Sequence, residues 1–231
     1  MSGGVGRRWT LLGVLAAVLN ANFALEALLP GQSGVGRRVV SDLSLASQPW
    51  SWVFRLGDAS SAVVLLVVAL AMLRAGRRSA PWRVGAWLVA GFAAATLLSA
   101  LVPLSCAATA DSTCAGSPPG APAPLANLLH DGASIAGTTA GILAAAVLAL
   151  ATKGRQSRAH WLAFALSAAL GLALVVGAQS FGDEVAEWFG WVQRGQIVVL
   201  SLWFVAVGRS TDCVGAGAAP IGAGSSDATR R

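Results

Sequence analysis

Long apolar blocks separated by short polar connections dominate the chain, at residues 9–29, 53–73, 84–104, 131–151, 161–181 and 191–208. Each is close to the roughly 20 residues that a helix needs to cross about 30 Å of hydrocarbon. The pattern predicts an all-α polytopic membrane helix bundle of six transmembrane helices, with residues 9–208 as the membrane domain. What remains is too little for a soluble domain. Residues 1–8 form a short N-terminus, and the tail at 209–231 ends in "GAGAAPIGAGSSDATRR", small and polar enough to read as disordered. The first block follows Arg7 and Arg8 and could be a signal peptide. It is longer than the roughly 7–15 apolar residues of such a peptide and contains Asn20, Asn22 and Glu26, which favours a retained span.

Charge orients the bundle. The 231 residues are 55% hydrophobic and only 11% charged, against about 25% in soluble domains. Of sixteen basic residues, twelve fall at the N-terminus (Arg7, Arg8), in two alternate turns (Arg74, Arg77, Arg78, Arg83; Lys153, Arg155, Arg158) or in the tail (Arg209, Arg230, Arg231). This is the positive-inside pattern, and it predicts that both termini are cytoplasmic. Eight of ten acids run the opposite way, only Asp212 and Asp227 lying inside. The net charge of +6 is therefore spent on orientation, and no nucleic-acid partner is expected. Seven of nine Trp residues sit at expected span ends, where an amphipathic ring prefers the interface. The near absence of Lys, with abundant Ala and Gly, suggests a high-GC bacterial genome, hence a multi-pass protein of the bacterial inner (plasma) membrane with the lipid bilayer as its first partner.

The second span opens with "VFRLGDASS", placing Arg55 and Asp58 near its outer end. Glu26 closes the first span at the same depth, with Asn22 one turn below on the same face. His130 and Asp131 open the fourth, with Ser134 four residues after His130; Gln179 ends the fifth; Gln193, Arg194 and Gln196 open the sixth. Charges inside spans cost about 2.5–3.5 kcal/mol each at the centre and less near an end. Arg55 and Asp58 can pair at i, i+3, and Asp131 suits a helix start. Gathered from several helices, the same residues predict an outward-opening polar pocket for a lipid or small-molecule ligand. Asn22, Arg55, Ser134, Gln179, Gln193, Arg194 and Gln196 are the candidate binding residues. Under an alternative reading, a membrane-embedded enzyme on a lipid or isoprenoid-like substrate, Glu26, Asp58, Asp131 or His130 are the candidate acid/base groups, with Arg55 or Arg194 as anion clamp. A small transporter is a further alternative, disfavoured by the rim position of the carboxylates. No cofactor or metal is expected: His130 and His160 fall on opposite membrane sides, unlike paired haem ligands, and one His is a poor start for a zinc site.

Cys106 and Cys114 share a Gly/Pro-rich outer loop in an oxidising compartment and read as a disulfide, with free thiols or metal ligands as the alternatives. Cys213, in the tail, reads as a free thiol. Gly137 and Gly141 form a GxxxG in the fourth span, suited to packing within the bundle.

In their order, these features resemble the bacterial membrane proteins grouped as domain of unknown function 998. The resemblance runs over about residues 9–208. It rests on Asn22 and Glu26 in the first span, "SDLS" (41–44), "RLGD" (55–58), "PLSC" (103–106), Cys114 and His130. The family often has an acid where this chain has Ser105. The resemblance implies a bundle of about six helices and carries no catalytic assignment.

Overall fold

The computed structural model describes residues 7–29, 39–75, 79–106, 125–180 and 188–216, with side chains described through 177 in the fifth helix and 213 in the sixth. Among the described residues six α-helices follow one another: α1 (Arg8–Asn20), α2 (Ser51–Arg74), α3 (Ala80–Leu101), α4 (Leu125–Ala151), α5 (Gly154–Ser180) and α6 (Phe189–Ala216). Two 3-10 turns, Asn22–Ala27 and Val40–Ser44, lie between α1 and α2. Among the described residues there is no strand. Each helix packs on its neighbours in sequence, and α6 closes the ring on α1.

Helices α2 to α6 are long and apolar enough to cross a membrane. Their outward faces carry Val63, Val67, Trp87, Leu143, Leu162 and Leu202, a lipid-facing belt rather than a solvated one. The helix ends follow local chemistry. α3 starts with Ser79 accepting from the Trp82 amide and Pro81 in the first turn, and it stops before Pro103, whose ring forces Val102 into an extended conformation. α4 and α5 are joined through Thr152 and Lys153, and Gly154 takes the left-handed φ of 58° needed to reverse the chain.

The first span departs from expectation. Its α-helix has only 13 residues, about 20 Å at 1.5 Å each. The six-residue 3-10 turn adds about 12 Å. Together they match a membrane thickness, but with a break at Asn20–Asn22 in place of a continuous helix at 9–29. The Asn22 side chain donates to the Leu19 carbonyl (2.9 Å), taking an acceptor the helix would otherwise use.

The sixth helix runs past 208 to Ala216, through part of the stretch expected as tail. Asp212, on that extension, caps the start of α1. Its carboxylate accepts from the Trp9 and Thr10 amides (3.2 and 2.9 Å) and from the Thr10 hydroxyl (2.6 Å). Two orphan amides and a hydroxyl are thereby satisfied, and the carboxylate sits at the positive end of the helix dipole.

Packing differs between the two ends of the ring. At the basic end, Trp203 and Phe204 of α6 fill the middle with Met72, Leu148 and Val89, all nearly or wholly buried. Phe92 meets Phe204 edge to face at 5.4 Å, closing this plug. Small residues let the helices approach: Gly141 sits against Phe92 and Gly137 against Ala95, so the GxxxG packs α4 on α3 within the chain. Gly13 and Gly208 do the same for α1 and α6, where backbone lies on backbone.

Candidate functional site

Beyond the Phe92 plug the inward faces turn polar. On α3, Thr96 and Ser99 lie four and seven residues after Phe92; on α4, His130, Ser134 and Thr138 repeat every four; on α6, Gln193 and Gln196 precede Ile197 and Leu200. These spacings keep each set on one helix face. With Asn20 and Asp58 they line a cavity of about 140 Å³, over which Val40, Ser41 and Ser44 of the second 3-10 turn are placed. Phe92, Ile197 and Leu200 supply its apolar walls. The volume has room for several waters or a ligand of a few heavy atoms.

The polar side chains are held by specific partners. Asn22 donates to Asp58 Oδ1 (2.7 Å) and to the Phe54 carbonyl (3.2 Å), tying the broken first span to α2. Gly57 admits this contact, because a Cβ there would collide with the Asn22 amide. Asn20 donates to Ser201 Oγ (2.8 Å). Gln193 Oε1 accepts from the Val40 amide (2.6 Å), fastening the 3-10 turn over the cavity. Gln196 Nε2 donates to the Ser167 carbonyl on α5 (3.1 Å).

His130 is fixed in one tautomer. Its Nδ1 lies 3.0 Å from the Ser99 carbonyl and 2.8 Å from that of Val102, at the C-terminal end of α3. Two carbonyls can only accept, so Nδ1 carries the proton and Nε2 of the neutral ring is an acceptor. The residue lines the cavity, and among the described residues Nε2 has no partner. Asp58 Oδ2 is likewise left over once Asn22 has taken Oδ1.

The cations and the other acids are placed elsewhere. Arg55 does not pair with Asp58. Its guanidinium donates to the Ala100 and Leu101 carbonyls (2.8 and 3.3 Å), the orphan acceptors where α3 ends. Arg194 forms a buried, bidentate pair with Glu26, at 2.7 and 2.8 Å, and donates to the Gly190 carbonyl at 3.0 Å. The Phe23 and Trp191 rings lie 6.0 Å from its guanidinium. Neither arginine lines the cavity, and Glu26 is bound to one of them. Asp131 points outward and is exposed. Of the candidates, Asp58, His130, Ser134, Gln193 and Gln196 are brought together, and Asn22 positions Asp58. The Gln179 side chain and Cys114 lie outside the described residues. Cys106 sits beside Asn127, whose amide donates to the Cys106 carbonyl (2.9 Å). Among the described residues Cys213 is a free cysteine, and no three His, Cys, Asp or Glu residues cluster closely enough to hold a metal ion.

Sequence reasoning missed Thr96, Ser99 and Thr138, each a weak polar signal in an apolar context, and it noted Asn20 and the "SDLS" of Ser41 and Ser44 without assigning them to the site. The four-residue repeat from His130 through Ser134 to Thr138 was the legible hint. It also missed a buried chain at the basic end. Trp203 Nε1 donates to His160 Nδ1 (2.9 Å), His160 Nε2 faces Ser210 Oγ (3.0 Å), and Ser210 donates to Gln156 Oε1 (3.1 Å). Indole is only a donor, so every proton in this chain is assigned and His160 is neutral. His160 and His130 stand at opposite ends of the bundle.

No curated protein and no solved structure matches the chain. A family model, protein of unknown function DUF998, matches residues 11–210. That match covers α2 to α5 whole and most of α1 and α6, and the segments that build the cavity fall within it: the chain belongs to the DUF998 family of proteins.

Proposed function

We propose that this is a bacterial inner-membrane protein, its termini cytoplasmic, whose cavity binds a small uncharged or cationic polar ligand from the outer face. The observation that carries the reading is the convergence of Asp58, His130, Gln193 and Gln196 on one cavity, whose walls among the described residues include no guanidinium. Acceptors at Asp58 Oδ2 and His130 Nε2, beside the hydroxyl of Ser134, suit ammonium or hydroxyl donors and repel anions. The break in the first span supports the same reading, since irregular backbone at membrane depth is tolerated where it lines a polar cavity. The ligand chemistry is an amine or polyol, either free or as a lipid headgroup. Residues 9–208 form the membrane domain, and Cys106 and Cys114 pair as a disulfide.

Thermal shifts of the detergent-solubilised chain test this, using ethanolamine, glycerol and inorganic phosphate. Ethanolamine or glycerol should stabilise the wild type, and Ser134→Leu, which fills the cavity, should lose the effect. Stabilisation by phosphate alone, or an unchanged response in Ser134→Leu, contradicts it. Comparing ethanolamine with a phosphatidylethanolamine-doped micelle separates the free from the lipid-borne source.

His130 Nε2, without a partner among the described residues and on the same cavity as the Asp58 carboxylate, favours a second reading, an outer-leaflet enzyme in which Asp58 and His130 share acid/base work. Glu26, engaged with Arg194, and Asp131, facing outward, are less suited to that role.

A further inference from the structure

A groove of about 660 Å³ runs between α5 and α6 at the basic end, remote from the cavity. Arg155 and Arg209 stand at it, both exposed, and among the described residues neither guanidinium has a hydrogen-bond or ion-pair partner. The nearest acid along α6, Asp212, is committed to the first turn of α1. Apart from Gln156, the remaining described wall residues are apolar. Leu202, Val205 and Ala206 lie seven, four and three residues before Arg209, hence on its helix face, and Ala159 lies four after Arg155. Each helix thus presents a cation at the water end and an apolar stripe running into the membrane below it. Leu202 is two-thirds exposed, so the stripe is open to acyl chains.

From this we infer that the α5–α6 groove is a binding site for one anionic phospholipid, its phosphate between Arg155 and Arg209 and an acyl chain along Leu202, Val205 and Ala206. Charge complementarity selects the headgroup. Basic pockets between transmembrane helices hold such headgroups, and paired guanidinium forks suit phosphate oxygens. The apolar wall selects a lipid over a soluble anion, which would leave that wall unused. The volume falls in the range of about 300–1,000 Å³ typical of ligand pockets. This inference is independent of the cavity reading, since the two sites share no residue.

Native mass spectrometry of the full chain, with phosphatidylglycerol and phosphatidylcholine of matched chains in competition, tests it. The wild type should retain one phosphatidylglycerol in preference to phosphatidylcholine. Arg155→Gln/Arg209→Gln should weaken that retention about thirtyfold, and each single variant about fivefold. Arg74→Gln/Arg83→Gln, which removes two exposed cations from another turn at the same end, should leave it intact. An unchanged melting temperature in phosphatidylcholine nanodiscs shows that the double variant still folds, as expected for side chains without protein partners. Equal retention of the two lipids overturns the proposal. So does equal loss in the Arg74/Arg83 control, which would mean diffuse attraction rather than a site. Displacement of the lipid by millimolar inorganic phosphate overturns the lipid as the occupant and leaves a soluble anion.

Discussion

Glu26→Gln is the substitution whose cost can be worked most directly. In the native bundle the Glu26 carboxylate takes two parallel hydrogen bonds from Arg194, whose side chain is 4% exposed against 7% for Glu26. Such a fork is the stronger kind of ion pair, short and charge-assisted at both contacts. Replacing the carboxylate by an amide keeps one carbonyl acceptor but takes the Glu26 charge away from a buried guanidinium. Breaking a buried pair by removing one partner costs about 3–5 kcal/mol, mostly from the stranded charge. The retained carbonyl and the Gly190 acceptor place Gln near the lower bound, about 3 kcal/mol, or roughly two powers of ten in the folding equilibrium. Removing both charges in Glu26→Gln/Arg194→Gln strands neither, so the double variant should be more stable than the sum of the singles by about 1–3 kcal/mol. Unfolding in mixed bicelles titrated with SDS, followed by tryptophan fluorescence, measures all four species. Wild-type stability in Glu26→Gln, or strict additivity in the double variant, refutes the reasoning.

Three further substitutions or measurements probe other parts of the fold. Asp212→Ala should cost about 0.5–2 kcal/mol, the worth of an N-cap, and speed hydrogen exchange in the first turn of α1 without altering exchange around the cavity. Gly141→Val should destabilise by about 1–3 kcal/mol, because a Cβ there stands 2.9 Å from Phe92, whereas Gly132→Ala, with nothing within 4 Å, should be neutral or mildly stabilising in the same unfolding assay. Non-reducing peptide mapping of native membranes should find Cys106 linked to Cys114; two alkylated thiols would refute that pairing.

The helical architecture was legible because hydrophobic length is a strong, local signal: blocks of about 20 apolar residues have few alternatives in a bilayer. The polar cluster was legible for the same reason, since Asp58 or His130 in a span must find a reason to be there. Partnering was not legible. Arg55 and Asp58 sit at the spacing of a pair, yet each finds a better partner on another helix: the free carbonyls where Pro103 stops α3, and the Asn22 amide freed by the break in the first span. Which helix stands beside which decides such choices, and spacing within one helix carries no information about it. The break itself was hidden because Asn20 and Asn22, though polar, do not by themselves stop a helix, and the apolar residues around them keep the length of the block. The cavity's Thr and Ser residues were hidden because they resemble any helix position that back-bonds its own carbonyls. Asp212 was read as part of a tail since "RSTDC" looks like an end, whereas its role is set by the first turn of α1, some two hundred residues away.

The account centres on the cavity between Asp58, His130, Gln193 and Gln196, and a high-resolution structure of the full chain in lipid nanodiscs tests it most directly. Density for a bound small molecule or headgroup, hydrogen-bonded to Asp58 Oδ2 and His130 Nε2, is the predicted result. A closed interior, with Asp58 and His130 in direct contact and no space between α3, α4 and α6, would contradict it.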